Sequence, residues 1–454
     1  MKIAVYSSCG NGAESAYIAA YRFLPDRASL WDEISEMFPE HEFKVYVGLQ
    51  GGTTIDEDGV NILKKAEKVP YTLIPLSYGV DEIAELIAKD APDVAIAFST
   101  PSIPYDWGSV RDSLIAEVLR EKGIRTISHS TWLSEDAFEK HKINKRLKEL
   151  GFLVPEGVYI NKKLFDACYE NTGIVRNAYR DYIRHNIKKL KFPVIIKCDS
   201  GAGSVGLSVA KTLDEAIYIL DSDKSGMDMI VEERIPGINF GAEIYGADGN
   251  YSFKGPIIFS SNEDGVTDPF ASVKFGPVRN EKFKIKELKE NLLRMANELG
   301  FCGGVQIDLM FSDGKWYIIE INPRFSLMSM LIAAIDNRNM FYNFVAPAIE
   351  SAKIESDLSE QRFAIDFKTL IFEEDIIKNL RKDFESIITA MRFSLPTSGN
   401  SEVRYTEMAM GGFSTPQELI DGLKEINNKY PLIATDKVIE NVVSLIDYIE
   451  RETL

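Results

Sequence analysis

One lysine at the end of an apolar run is the first residue whose position indicates chemistry. Lys197 closes that run, and a segment rich in glycine and serine follows it. The small residues of the segment include Gly203, Ser204 and Gly206. Such residues let backbone N–H groups approach an anion closely, and the lysine adds a positive charge. We interpret the segment as a flap over phosphates, and the alternative is an ordinary hairpin with a solvated lysine.

A second group of polar residues lies in a predicted β-hairpin. We expect a three-residue turn, Ser312–Gly314, which would pair Gln306 with Glu320. Because side chains alternate along a strand, this register puts three oxygen-bearing residues on one face, whereas a two-residue turn would separate them. These residues are Asp308, Glu320 and Asn322, and the isoleucines expected to face the core are Ile307, Ile319 and Ile321.

Oxygen ligands of this kind suit a hard cation, and we expect magnesium before calcium, bridging substrate phosphates. Without a cation, the neighbouring carboxylates of Asp308 and Glu320 would repel each other. The alternative is a solvated sheet face with ordinary acids.

A third segment, Met229–Gly237, ends at a Pro-Gly bend and offers backbone groups to an adenine edge. From its residues alone, an edge strand with charged outer positions is the better interpretation.

The first third of the chain must position these groups through alternating strands and helices. Short apolar runs separated by helical patterns predict a doubly wound parallel sheet. The predicted strands are Lys2–Ser7, Phe43–Gly48, Tyr71–Pro75, Val94–Phe98 and Arg125–Ser128, and the predicted helices are Ala13–Ala20, Asp56–Ala66, Asp81–Lys89 and Val110–Lys122. One helix, Glu135–Leu150, closes this part before the stop signal of Gly151.

From about Phe192 the pattern becomes antiparallel, with short glycine-rich turns and helices at Lys286–Leu299 and Met328–Ile335. The tail is predicted as a C-terminal α+β extension. Its elements are the strands Ala364–Phe372 and Glu402–Met410 and the helices Asp375–Met391, Pro416–Asn428 and Asp436–Arg451. The fold class expected is therefore α/β followed by α+β.

Composition narrows the classes of function. The 454 residues carry 52 Lys+Arg and 69 Asp+Glu, a net charge of −17, which argues against a nucleic-acid partner because phosphate neutralisation needs a basic face. No apolar run approaches the roughly 18 residues of a membrane span. Four cysteines without a CxxC pair and four histidines leave little for a disulfide framework or a zinc site. We expect a cytoplasmic protein without a membrane partner.

Taken together and in this order, the pieces between Glu135 and Asn337 resemble the ATP-grasp superfamily of carboxylate–amine ligases. The resemblance implies ATP and Mg²⁺ as cofactors, with Mn²⁺ as an alternative metal. It implies a preceding α/β domain at 1–130, a small lobe at 131–245, a large lobe at 246–360 and the extension at 361–454. The nucleotide residues that it implies are Lys140, Lys197, Gly203, Ser204, Gly206, Glu232, the backbone of Glu233 and Ile235, and Glu243 for the ribose or a metal; the metal triad is Asp308, Glu320 and Asn322.

Departures from the family's motifs indicate which branch of the superfamily the sequence resembles. Gln306 stands where the D-alanine–D-alanine ligases have an arginine, so Arg324 of the Asn-Pro-Arg ending is expected to stabilise the anion, assisted by Gln306. That ending occurs in L-amino-acid ligases, carnosine-type dipeptide synthases and carbamoyl-phosphate synthetases. Lys142 and Lys145 are alternatives to Lys140 as the first nucleotide lysine.

The resemblance implies a ligase that converts a carboxylate to an acylphosphate and joins it to an amine, with Arg324, Lys197 and Gln306 in catalytic roles. Its partners would be small-molecule carboxylate and amine substrates. Two alternatives stay open, namely carbamoyl-phosphate or carboxylase-like chemistry with bicarbonate, and an ATP-binding module without turnover. The C-terminal extension is expected to form either an oligomer interface, as in a homodimer, or a lid over the acceptor pocket.

Overall fold

The structure is a computed structural model. It describes residues 1–8, 21–25, 27–48, 67–75, 77–99, 107–167, 177–200, 207–262, 265–267, 272–350, 352, 357–359, 361–370, 373–394 and 406–451. The predicted helices Ala13–Ala20 and Asp56–Ala66 lie outside the described residues, as do the flap residues Gly203, Ser204 and Gly206.

Strands and helices alternate along the described chain. The strands are β1 (Lys2–Ser7), β2 (Tyr21–Leu24), β3 (Glu42–Gly48), β4 (Tyr71–Ile74), β5 (Val94–Ala97), β6 (Arg125–Ile127), β7 (Gly157–Ile160), β8 (Val194–Cys198), β9 (Ser208–Ala210), β10 (Met229–Glu233), β11 (Ile238–Ala247), β12 (Asn250–Phe259), β13 (Val273–Gly276), β14 (Gly303–Ser312), β15 (Lys315–Asn322), β16 (Phe363–Thr369), β17 (Ile388–Ser394) and β18 (Thr406–Phe413). The helices are α1 (Arg27–Met37), α2 (Val80–Ala88), α3 (Gly108–Glu121), α4 (Thr131–Phe138), α5 (Lys140–Glu149), α6 (Lys162–Asp166), α7 (Ala178–Ile187), α8 (Leu213–Ser222), α9 (Ile285–Leu299), α10 (Met328–Asp336), α11 (Tyr342–Val345), α12 (Glu374–Asp383), α13 (Pro416–Lys429) and α14 (Asp436–Glu450). Of these described helices, none has the length and apolar character needed to cross a membrane.

The first sheet is parallel, in the order β4-β3-β1-β5-β6, which confirms the doubly wound prediction. Side chains of β1 alternate between its two faces. Ile3 and Val5 pack with α1, whereas Ala4 and Tyr6 pack with α2 and α3. Both faces are thus covered by helices, which explains why the strands read as continuous apolar runs.

The predicted helix Glu135–Leu150 is wrong, because the structure breaks it into α4 and α5. Glu139 between them is extended, with φ −96° and ψ 99°. The break is stabilised from a distant segment: the N–H groups of Lys140 and His141 donate to the backbone oxygen (3.1 Å) and side-chain Oδ1 (2.9 Å) of Asp199. Lys140 therefore begins a helix that the start of the flap segment holds in place.

A small antiparallel sheet, β7-β10-β8-β9, precedes a large sheet in the order β15-β14-β11-β12-β13-β16-β18-β17-β2. The tail strands thus continue the large sheet, and β2 from the first part of the chain pairs with β17. The predicted helix Asp375–Met391 is wrong over its second half, where α12 ends at Asp383 and β17 follows. Backbone pairing with β18 and β2 outweighs the local helical pattern there.

The two faces of the large sheet have different roles. One face carries Phe240, Ile307 and Phe367 into a core formed with α9, α13 and α14. The opposite face packs Tyr245 and Ala409 against α10, α11 and the first sheet. The site described below lies on this second face, at the boundary with the first sheet.

A buried carboxylate connects the central strands of the first sheet. Asp112 of α3 accepts hydrogen bonds from Ser8 N–H (2.8 Å) and Ser99 Oγ (2.8 Å), at the carboxyl ends of β1 and β5. Burial raises its pKa to about 6, although the hydrogen bonds from Ser8 and Ser99 oppose that rise. The folded protein therefore keeps this proton to a higher pH than the unfolded chain does.

We expect Asp112→Asn to remove a pH-dependent loss of stability. Because the folded-state pKa lies above the ordinary value of 3.8, the wild-type free energy of unfolding falls, relative to the variant's, as the pH rises from about 4 to 6. A shift of about two pKa units corresponds to about 3 kcal/mol. Denaturant unfolding at pH 4 to 8 measures the difference, with Asp93→Asn, at the exposed residue just before β5, as the control. A difference that stays constant with pH would contradict the assignment.

Candidate active site

In the hairpin β14–β15 the three predicted metal ligands lie on one face, as expected, but the strand register differs from the predicted one. The turn has two residues, Asp313 (φ 49°) and Gly314 (φ 70°), and Ser312 pairs with Lys315, so the predicted three-residue turn is wrong. A bulge then shifts the register at Ile319, between the Leu309–Ile318 and Asp308–Glu320 pairs. This extra residue turns the following side chains to the other face.

Because of the bulge, the observed register differs from the predicted one in two details. Gln306 pairs with Asn322 rather than with Glu320, and Ile318 rather than Ile319 is buried in the core. Asp308 lies directly opposite Glu320, so the oxygen donors of both strands still share one face, as expected. The two-residue turn alone would have separated them.

Positive charges compensate the neighbouring acids of this face. Lys140 Nζ lies 3.4 Å from Glu320 Oε1. Burial alone would raise the pKa of Glu320, but the charges of Lys140, Lys197 and Arg324 lower it below its ordinary value. Burial and the neighbouring Glu320 instead raise the pKa of Asp308. A divalent cation between the two carboxylates would favour ionisation of both.

Amide and guanidinium groups complete this part of the site. Gln306 Nε2 donates to Asp308 Oδ1 (2.8 Å), and Arg324 Nη2 donates to Asn322 Oδ1 (3.0 Å). A crevice between α3, α4 and the end of β15 is lined by Ser109, Ser134, Glu320, Asn322 and Arg324, among others. The predicted catalytic arginine therefore lies beside the predicted metal ligands, at the contact with the first sheet.

Lys197 and Glu232 form a buried ion pair on the small sheet. Lys197 Nζ is 2.7 Å from Glu232 Oε2, and Asn144 Nδ2 donates to the other oxygen at 2.6 Å. Burial alone would lower the pKa of Lys197, but Glu232, Glu320 and Asp308 together raise it above its ordinary value. The lysine is therefore charged at neutral pH and lies within electrostatic reach of the metal-ligand candidates.

Of the three candidates for the first lysine, Lys140 is the one that the structure brings to the site. It is 5% exposed and also contacts the backbone oxygen of Asp199, at 3.4 Å from Nζ. Lys142 instead forms ion pairs with Glu135 and Glu139, which precede it by seven and three residues. The side chain of Lys145 is 77% exposed.

Of the three residues predicted to contact the adenine at the end of β10, the structure buries only one at the site. Glu232 is buried, whereas Glu233 and Ile235 are partly exposed. The N–H of Glu233 donates to the Glu156 oxygen (2.8 Å), and its side chain accepts from Lys191 N–H (2.7 Å). The N–H of Glu233 therefore already has a backbone partner.

Glu243 lies under the neighbouring polar residues of the same sheet face. It is 1% exposed and accepts hydrogen bonds from Ser326 Oγ (2.6 Å), Ser329 Oγ (3.1 Å) and the hydroxyl of Tyr245. Burial raises its pKa to about 7 against these hydrogen bonds. These hydrogen bonds let Glu243 position the Ser326–Ser329 segment, and its contact with a ribose or a metal stays a prediction.

Sequence reasoning missed Asn144 and Asp199 as partners of the site. Asn144 follows Lys140 by four residues on α5, so helical spacing alone puts both on one face. Asp199 holds the N-terminus of α5 and accepts from His141 Nδ1 at 2.6 Å. No local signal in the sequence connects that aspartate to a helix that begins 59 residues earlier.

Comparisons with known proteins agree with the resemblance. Residues 137–327 match the family model described as the ATP-grasp domain. The carbamoyl phosphate synthase large chain of Clostridium beijerinckii is 23% identical over 250 residues, which are 54% of this chain and 21% of that protein. The chain thus spans about a fifth of the length of that relative.

Two further relatives cover more of their own length. The D-alanine–D-alanine ligase of Bacillus anthracis is 24% identical over 293 residues, which are 63% of this chain and 87% of the ligase. The crystal structure of the L-amino acid ligase from Bacillus licheniformis has a TM-score of 0.62 at 12% identity, covering 94% of this chain and 97% of that one. At this identity the structural likeness shows the fold.

We expect Lys197→Met to destabilise the fold and Lys197→Met/Glu232→Gln to recover most of that loss. The single variant leaves a buried carboxylate without its cation, at about 3–5 kcal/mol, whereas the glutamine still accepts from Asn144 without a charge. Denaturant unfolding measures both free energies. If the single variant is as stable as the wild type, the ion pair does not compensate the buried charge as described.

Proposed function

We propose that this chain is an ATP-dependent ligase that activates a carboxylate as an acylphosphate and joins it to an amine, releasing ADP and phosphate. The carboxylate is proposed to be an amino acid. The observation that carries the proposal is the convergence of Lys140, Lys197, Asp308, Glu320 and Asn322 from separate parts of the chain. Phosphoryl transfer needs positioned positive charge more than it needs a protein nucleophile.

The donor set fits magnesium. Asp308 and Glu320 face each other across β14 and β15, and Asn322 adds an amide oxygen on the same face. Oxygen donors of this kind bind Mg²⁺, which would neutralise and bridge the phosphates of ATP. Lys140 and Lys197 would bind the remaining phosphate charge, and Glu232, held between Lys197 and Asn144, would keep the second lysine oriented.

Arg324 is proposed to bind the reacting carboxylate and then the oxyanion that forms when the amine attacks. It is held by Asn322 at the crevice lined by Ser109 and Ser134. Fixed donors at a site of developing charge stabilise the transition state without reorganisation. Gln306, which donates to Asp308, is proposed to assist by positioning that ligand.

The names of the relatives support this choice of reaction. Both the D-alanine–D-alanine ligase and the L-amino acid ligase are named for joining amino acids. A second candidate is carbamoyl-phosphate-like or carboxylating chemistry with bicarbonate, which the match to a carbamoyl phosphate synthase favours. An ATP-binding module without turnover is the candidate outside the enzymes.

Product analysis separates these candidates. We expect the purified protein with MgATP to release ADP and phosphate only when a carboxylate and an amine are both supplied, in a screen of amino-acid pairs. ADP release with bicarbonate alone would support the second candidate. AMP and pyrophosphate would reject acylphosphate chemistry in favour of adenylation, and MgATP binding without turnover in every arm would leave the binding module.

We further expect Glu320→Gln to lower turnover roughly a hundredfold or more and to weaken MgATP binding, because a charged metal ligand is lost. Phosphate release and calorimetric titration measure the two effects. Glu287→Gln, on the exposed side of α9, is the matched control and should behave as wild type. Unchanged turnover and unchanged magnesium-dependent binding in Glu320→Gln would reject the metal assignment.

A further inference from the structure

Asp199 follows β8 directly and connects the two lysines of the site. It lies two residues after Lys197 and holds the first two residues of α5, Lys140 and His141. Its backbone oxygen accepts from Lys140 N–H (3.1 Å) and lies 3.4 Å from Lys140 Nζ. Its carboxylate accepts from His141 N–H at Oδ1 (2.9 Å) and from His141 Nδ1 at Oδ2 (2.6 Å). The backbone and the side chain of this one residue therefore both bind the start of α5.

The carboxylate of Asp199 caps α5 from a distant part of the chain. At 2% exposure it accepts from an N–H group at the positive end of the helix, where a negative charge is favoured. The usual source of such a cap is the residue before the helix. Here that residue is Glu139, and among the described contacts its side chain caps no N–H group of α5. A cap from Glu139 would stabilise α5 alone, whereas the cap from Asp199 also attaches α5 to β8.

A second connection lies one helical turn further along α5. Asn144 Nδ2 donates to Glu232 Oε1 at 2.6 Å, and the other oxygen of Glu232 pairs with Lys197 Nζ at 2.7 Å. This connection and that of Asp199 attach α5 to the small sheet at two points about 6 Å apart along the helix axis. A helix held at one point can pivot, whereas two points fix both its position and its direction.

The two ammonium groups need such a restraint because they carry like charges. The charges of Lys140 and Lys197 both lower the pKa of Glu320, so both lie near the same candidate metal ligand. Like charges repel, and the repulsion grows as the groups are removed from water. Other contacts must therefore hold the two lysines near each other, and the contacts of Asp199 and Glu232 provide that restraint.

We propose that Asp199 is a positioning residue that places Lys140 relative to Lys197, so that both ammonium groups bind the phosphates of one MgATP. The inference rests on the proposed function of this site, whose phosphate-binding lysines it connects. Asp199 acts through Lys140 and α5 and need not contact the nucleotide. Loss of its carboxylate should therefore weaken nucleotide binding by an amount that a new cap on α5 does not recover.

The test separates the position of Lys140 from the stability of α5. Asp199→Ala removes the carboxylate, and Asp199→Ala/Glu139→Asp adds a cap next to the helix, because aspartate is a preferred residue there. Calorimetric titration of the full chain with Mg²⁺ and adenylyl imidodiphosphate, an ATP analogue that is not hydrolysed, measures binding. Denaturant unfolding measures stability.

We expect the single variant to be less stable and to bind the analogue at least fivefold more weakly than the wild type. The double variant should regain the wild-type denaturant midpoint while its binding stays at least fivefold weaker. Asp136→Asn is the matched control, because Asp136 accepts from Arg146 Nε (2.9 Å) and Nη2 (2.7 Å) and so connects α5 to α4 instead of to β8. It should bind the analogue as the wild type does.

The outcomes distinguish this inference from the proposed function. If the wild type does not bind the analogue, the proposed function fails. If the wild type binds and the single variant is less than fivefold weaker, or the double variant recovers binding together with stability, Asp199 is only a cap and the inference is overturned.

Amide hydrogen exchange of the wild type decides if the variants do not fold or the double variant does not regain stability. Phosphates bound by both lysines would tighten the connection between β8 and α5, so the analogue should slow exchange of the Lys140 and His141 N–H groups at least tenfold. A cap with a purely structural role would protect these groups equally with and without nucleotide, and unchanged exchange would overturn the inference.

Discussion

Buried charges of opposite sign, held close enough to offset their loss of hydration, are the constraint on which this structure depends. Glu232 and Lys197 are both largely excluded from water, and each would be costly alone. Their pairing leaves Lys197 charged, and that charge with Lys140 and Arg324 lowers the pKa of Glu320. The small sheet and the large sheet are thus coupled electrostatically across the site.

The geometry of the large sheet determines which groups can meet. A single bulge at Ile319 reverses the effect of a two-residue turn, so that Asp308, Glu320 and Asn322 share a face. Because the tail strands continue the same sheet, Asp366 and Glu407 are presented on that face too. The candidate metal ligands and these buried tail-strand charges therefore lie on one face of the same sheet.

The first sheet contributes through its contact with the end of β15. Phe325 N–H donates to Ser99 O (2.8 Å), and a ring nitrogen of His129 lies 3.2 Å from Gly304 O. Ser99 is also the partner of Asp112, so the carboxyl ends of β1 and β5 are connected by hydrogen bonds to the segment that contains Arg324. This arrangement matches the general tendency of ligands to bind outside the carboxyl ends of parallel strands.

The sequence by itself determined the doubly wound first sheet and most strand and helix ranges, because apolar periodicity is a property of neighbouring residues. Local motifs indicated the candidate residues Lys197, Asp308, Glu320 and Asn322, and the family resemblance added Lys140 and the role of Arg324. Only the tertiary structure decided the features that depend on distant partners. Asp199 breaks a predicted helix at Glu139, and β18 with β2 converts the second half of another predicted helix into β17. The bulge at Ile319 and the pairing of Asp366 with Lys274 likewise depend on strand register, which local pattern does not specify.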